Sequence, residues 1–199
     1  MKITTRALLL AALTVTATGF AACSKNETAP ADPAPYSELK NYVMRPDGGG
    51  FVRTYNSPGI QSAAALGSKV LTLDFVASTA NLHLEINRTQ LKLRDSPLRG
   101  ADWVGTYAWR CLDHPTDPVF VRYEFNSEGV TSAFPFSETT PQLTGNVTIT
   151  AYDAKRHLIS GQFVVEAPNQ LNPLPFVVAR FPLITMQVSG KFDNLKVVM

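Results

Sequence analysis

The stretch Gly145–Val165, GNVTITAYDAKRHLISGQFVV, holds two alternating apolar runs joined by a short polar link. Val147 and Ile149 project to one side of the first run, and Ile159, Gly161 and Phe163 to one side of the second. Side chains alternate across a strand, so a hairpin with both apolar sets on one core must pair residues whose numbers add to an even total. That parity predicts Ile149 opposite Ile159 and Val147 opposite Gly161. The link is then odd: Asp153-Ala154-Lys155, or five residues starting at Tyr152. A four-residue link would set Ile149 opposite Ser160 and break the pattern. Glycine inside a strand makes room for a neighbouring side chain or marks a bulge, so Gly161 is expected beneath an aromatic ring, with Phe163 inward. The phrase Ser160-Gly-Gln-Phe163 returns as Ser189-Gly-Lys-Phe192. Two copies fall short of the roughly three that a solenoid needs, so Gly190 and Phe192 are expected to do the same packing job in a closing strand.

Upstream, the pattern stays β from Lys69 onward. Val70–Ala77 is apolar on both faces apart from Asp74, as in a central strand. Leu82, Leu84 and Ile86 alternate with His83, Glu85 and Asn87, and Leu91 and Leu93 with Lys92 and Arg94. Ser96–Gly100 reads as a turn. Trp103, Gly105, Tyr107, Trp109 and Cys111 share one face of a further run, and Val119, Val121, Tyr123 and Phe125 one face of the next. Val130–Phe136 is a short strand ended by a polar connection. No segment after Lys69 carries the 10–12 residues of helical periodicity that a helix would show. Closely spaced short strands with Gly-, Pro-, Asn- and Asp-rich turns predict an all-β antiparallel sandwich or barrel-like domain. Before Lys69 the pattern is weaker. Tyr36–Met44 is a helical turn or an entry strand, Arg45–Gly50 a turn, Phe51–Tyr55 a strand, and Gln61–Leu66 a candidate helical turn. The triple glycine Gly48–Gly50 is not a phosphate cradle, because a strand pattern follows it in place of a helix opening on Lys-Ser/Thr.

Met1–Ala22 has a charged start, Lys2 and Arg6, and then an apolar run too short to span a bilayer comfortably. It ends in Phe20-Ala-Ala-Cys23, which resembles a bacterial lipobox with Phe20 in place of the usual aliphatic residue; the resemblance implies that Cys23 becomes the first residue and carries diacylglycerol. Ser24–Pro35, SKNETAPADPAP, is polar and Pro-rich, a composition that extends and holds a domain off a membrane. Ser24, with no Asp after the cysteine, fits sorting to the outer membrane; either the periplasmic or the outer side remains open. The expected organisation is a lipoprotein signal at residues 1–22, lipidated Cys23 and tether at 23–40, and an all-β domain at 41–199.

Of 199 residues, 45% are hydrophobic and 17% charged, an ordinary globular composition. The formal charge of +2 is set by Lys2 and Arg6; beyond Ala22 there are 16 basic and 16 acidic groups. A neutral mature chain gives no electrostatic reason to expect nucleic acid as a partner.

The lipobox, the polar tether and the closing strands GNVTITAYD, I-S-G-x-F and V-S-G-K-F-D-N-L together resemble a family of small lipoproteins of unknown function from Bacteroidota-type bacteria. Gly105-Thr-Tyr107 is similar to a strand common there. The resemblance is specific over Gly145–Val198. It implies an all-β fold and a cell-envelope location, and it implies no activity.

The densest reactive cluster is Cys111, Asp113, His114 and Asp117. Asp-His-Pro-Thr-Asp-Pro is turn chemistry, and no paired Cys or His spacing for a metal is present. No metal, cofactor or catalytic residue is therefore expected, and Cys111 reads as a buried thiol without a disulfide partner once Cys23 is acylated. Trp103, Tyr107 and Trp109 form a possible sugar-stacking platform, with His83 and Glu85 beside it, although alternating aromatics more often fill a core. The motifs G-x-S-x-G and H-E-x-x-H are absent from the sequence. These readings favour a non-enzymatic, membrane-tethered β-sandwich that serves as a binding or structural module of the cell envelope, with the membrane lipid anchor and an envelope protein or glycan as partners. A carbohydrate-binding lipoprotein is the first alternative. A small hydrolase, the second, would need two carboxylates or a His–Asp pair converging in a cleft.

Overall fold

The computed structural model describes residues 31–87, 89, 103–126, 136–172 and 180–199. Ten segments are strands: β1 Tyr36–Met44, β2 Gly50–Asn56, β3 Ile60–Leu66, β4 Val70–Ala77, β5 Ala80–Asn87, β6 Gly105–Ala108, β7 Val119–Phe125, β8 Thr144–Asp153, β9 Leu158–Leu171 and β10 Leu183–Val198. No α-helix occurs among the described residues. Hydrogen bonding runs in the order β6-β8-β9-β10-β3-β4-β5-β7. Neighbours are antiparallel except β10 and β3, which meet in parallel where Val197 and Val198 face Ala64 and Ala65. A parallel bridge from Trp109 to Val119 brings the segment after β6 back to β7, so the sheet curls into a nearly closed barrel. β1 occupies the rest of the free edge of β10, from Tyr36 opposite Asp193 to Met44 opposite Thr185, and β2 pairs with β1. The all-β expectation is correct, in its barrel-like form.

The two Ser-Gly-x-Phe phrases face each other. In the β9–β10 pair, Gly190 lies opposite Phe163 and Phe192 opposite Gly161. A Cβ on Gly161 would sit 2.7 Å from Phe192 Cζ, and one on Gly190 would sit 2.5 Å from Phe163 Cζ. Each ring thus lies over the glycine of the other phrase. Phe75 of β4 reaches from across the barrel to both rings, with centroids 5.2 Å from Phe163 and 5.6 Å from Phe192. Ser160 also takes part: its Oγ accepts a 3.0 Å bond from Asn194 N at the bulge after Phe192, where Asn194 has φ 55°.

The β8–β9 hairpin forms with a different register. Val147 faces Phe163 and Ile149 faces Gly161, so the even parity holds, two residues away from the Ile149–Ile159 pairing. The link, Ala154–His157, has four residues. A bulge between Ile149 and Ala151 absorbs the parity change, so pairs nearer the turn, such as Tyr152 with Ile159, are odd. Asp153 Oδ1 accepts from Lys155 N and Arg156 N at 3.0 Å each, and His157 closes the turn at φ 53°.

Three upstream expectations change. Gln61–Leu66 is not a helical turn: it lies in β3, where pairing with β4 overrides the helix preference of its alanines. The β domain begins at Tyr36 and not at residue 41, because Ser37, Leu39, Asn41 and Val43 point inward while Glu38, Lys40 and Tyr42 give the segment a polar, tether-like face. β4 is buried on one side only, with Leu71, Leu73 and Phe75 inside and Thr72, Asp74 and Val76 outside. Among these inward residues Asn41 is wholly buried, and neither its amide nitrogen nor its oxygen has a hydrogen-bond partner among the described residues; the Ser37 hydroxyl is likewise without one. The strand Val130–Phe136 is described only at Phe136, which bridges Tyr123. The Leu91–Leu93 run and the Ser96–Gly100 turn lie outside the described residues.

Candidate functional site

The outward residues of β4, β5 and β7 form cross-strand rows, since register places Asp74 beside His83 and His83 beside Arg122. The flanking rows are Thr72–Glu85–Phe120 and Val76–Asn81–Glu124. All of these but Thr72 line an open depression of about 540 Å³. A smaller one of about 250 Å³ adjoins it, sharing Glu85 and Phe120 and adding Asn87, Arg110 and Glu138.

At the centre His83 is held at both ends. Its Nδ1 lies 2.6 Å from Asp74 Oδ1 and its Nε2 lies 3.0 Å from Glu85 Oε1. Carboxylates only accept, so both contacts are satisfied together when each ring nitrogen carries a proton. Partial burial pulls the ring's proton affinity down, but the hydrogen bonds to Glu85 and Asp74 and their charges outweigh it and raise the pKa above 6.5. Phe120 meets the imidazole edge-on at 6.2 Å between centroids. Arg122 does not compete for the carboxylates around His83: it bonds to Glu124.

This arrangement sets chemical limits. A ring bonded through both nitrogens has no lone pair for a nucleophile, and no hydroxyl or thiol bonds to His83 among the described residues. The two nitrogens point away from each other, so Asp74, His83 and Glu85 do not converge on one ion. Among the described residues no group of three His, Cys, Asp or Glu side chains is arranged to hold a metal.

His83 and Glu85 are where the sequence placed them, on an exposed strand face. The aromatic platform is not. Trp103 and Trp109 are each 2% exposed and Tyr107 is buried, so none offers a flat face to a sugar. The polar ends of Trp109 and Tyr107 are satisfied internally: Trp109 Nε1 donates to Val164 O at 2.8 Å and Tyr107 OH to Trp103 O at 2.7 Å. The cause is the alternation noted in the sequence, which turns this face to the core. Cys111 is buried and free of disulfides. The loop after it is a turn, in which Cys111 and His114 exchange backbone hydrogen bonds and Asp117 N donates to His114 O. Cys23 lies outside the described residues.

Asp74, Phe120, Arg122 and Glu124 belong to the site but were not singled out as functional. Asp74 left a signal as the one charge in an apolar strand. The other three look like an ordinary solvent face until register sets them beside His83.

Neither a family model nor a curated protein sequence matches the chain. Among solved structures, the membrane-proximal domain of mouse lysosome-associated membrane protein 1 is similar, with 14% identity, a TM-score of 0.30, and coverage of 81% of this chain and 78% of that one.

Proposed function

We propose that the chain is a cell-envelope lipoprotein of the outer membrane, a non-enzymatic β module that is anchored through Cys23 and binds a ligand or partner on the β4–β5–β7 face. The observation that carries this reading is the junction at Tyr36. A lipobox-like Phe20–Cys23 is followed by a polar, Pro-rich segment, and the first strand begins 13 residues after the cysteine. Thirteen residues span at most about 45 Å at full extension, enough to hold a domain clear of headgroups. Two or more acyl chains make such an anchor stable where one is marginal. Labelling cells with a palmitate analogue tests the anchor. The label is expected on the wild-type chain and lost in Cys23→Ser; label that persists in the variant overturns it.

One observation favours a hydrolase as a second reading, the 2.6 Å Asp74–His83 contact. Against it stands Glu85, which takes the nitrogen that a general base would need.

A further inference from the structure

We infer that the depression on β4–β5–β7 is a seat for an organic ammonium group, and that the His83 ring is a built-in competitor for it. This deepens the binding-module reading and rests on that face being its ligand surface.

Three features carry the inference. First, carboxylates from two different strands flank one ring, Asp74 at Nδ1 and Glu85 at Nε2. Each uses a single oxygen on the ring, Asp74 Oδ1 or Glu85 Oε1. A carboxylate has about four acceptor positions, so Asp74 Oδ2 at one end of the ring and Glu85 Oε2 at the other each keep acceptor capacity for an ammonium donor. Second, the charges are bordered by uncovered apolar surface. Val76 is 46% exposed on a strand where its neighbours Leu73 and Phe75 are buried, and Phe120 lines the same depression. An alkylammonium matches that pairing, with its carbons on Val76 and its charge near carboxylates and an aromatic ring. Third, the sign of the local field suits a cation. Among the described residues, the titratable and charged groups facing the two depressions are Asp74 on β4, His83 and Glu85 on β5, Arg122 and Glu124 on β7, and Arg110 and Glu138 in the adjoining loops. Four carboxylates therefore oppose two guanidinium groups and the ring. Loss of the ring proton increases the excess negative charge and frees acceptor oxygens, so an ammonium ligand binds best above the pKa of His83.

The same chemistry is offered by a free alkylamine and by a lysyl side chain of a partner protein, and the test separates them. The intact chain is titrated with n-butylammonium and with the peptide Gly-Lys-Gly, with butanol and butyrate as controls, at pH 5.5 and pH 8. The His83 ring proton resonances provide the readout. Saturable binding of n-butylammonium at pH 8 is expected, with affinity falling by up to about tenfold for each pH unit below the ring's pKa, the limit for strict competition. The variant Asp74→Asn/Glu85→Gln is expected to weaken binding at least tenfold, and His83→Gln to bind with little dependence on pH. Binding of Gly-Lys-Gly as tight as the amine assigns the seat to a protein side chain; binding of the amine alone assigns it to a small molecule. The inference is overturned if butanol binds as well as the amine, if affinity is greater at pH 5.5, or if the double variant binds like wild type. It is also overturned if no amine binds at pH 8, an outcome that leaves the anchor at Cys23 untouched.

Discussion

Asp74 and Phe75 are neighbours in the chain and serve opposite faces of β4. Inward, Leu71, Leu73 and Phe75 join Leu82, Leu84, Val121 and other apolar residues in one continuous core. Outward, the same three strands carry Asp74, His83, Glu85, Arg122 and Glu124. The inner face obeys a rule of kind, in which any apolar side chain of suitable volume will serve. The outer face depends on position, because Asp74 and Glu85 reach His83 only in this register. The two faces should therefore fail differently when altered.

The largest effect is expected inside. Phe75→Ala removes the ring that bridges Phe163 and Phe192 and should cost about 3–5 kcal/mol of stability, measured by urea unfolding. A loss under about 1 kcal/mol would mean that the Gly–Phe lock closes without it. Next come the glycines of that lock. A Cβ on Gly161 would meet both Thr148 O, at 2.5 Å, and Phe192, and one on Gly190 would meet Glu38 O and Phe163. Because a backbone oxygen cannot step aside, Gly161→Ala and Gly190→Ala should each cost about 1–3 kcal/mol. Asn41→Leu tests the inner rule from the other side. It removes a buried amide that has no partner among the described residues and should raise stability by about 1–3 kcal/mol; a loss of that size would show that the amide is satisfied.

Changes on the outer face should be smaller in stability and larger in titration. Asp74→Asn is expected to cost less than about 1 kcal/mol, since the pair is well exposed to solvent. It should also lower the pKa of His83, as followed by NMR. The wild-type pKa is raised in the folded state, so the ring's contribution to stability is complete below its unfolded value of about 6.5 and is lost as pH rises through the higher folded value. Stability should therefore decline on the alkaline side of that window in the wild type and stay flatter in His83→Gln.

The same contrast explains what could be read from the sequence. Strand alternation revealed the inner face: Leu82, Leu84, Ile86, Val119 and Val121 all lie where their spacing put them, and the burial of Trp103 and Trp109 follows the same rule. Register was harder. Parity correctly put Val147, Ile149 and Phe163 on one core, yet the four-residue link and the bulge after Ile149 together displaced the pairing by two, and no composition signal marks Thr150 as the extra residue. The outer site depends wholly on register. Its members come from three strands, with Phe120 and Arg122 more than 30 residues from His83, so proximity in the chain does not join them. β1 was obscured for a different reason: its outward residues are as polar as the tether before it.

The position of β10 has a consequence for the making of the protein. This strand bonds to β9, to β1 and to β3, and it comes after all of them in the chain. Glu38 waits for Lys191, about 150 residues later, and the edge of β3 waits for Val197. Contacts so distant in sequence make folding slow and leave strand edges open in the meantime. As synthesis proceeds from the N-terminus, the barrel cannot close until its last strand has been made. For a chain exported as proposed above, that delay would keep the polypeptide extensible during its passage across a membrane.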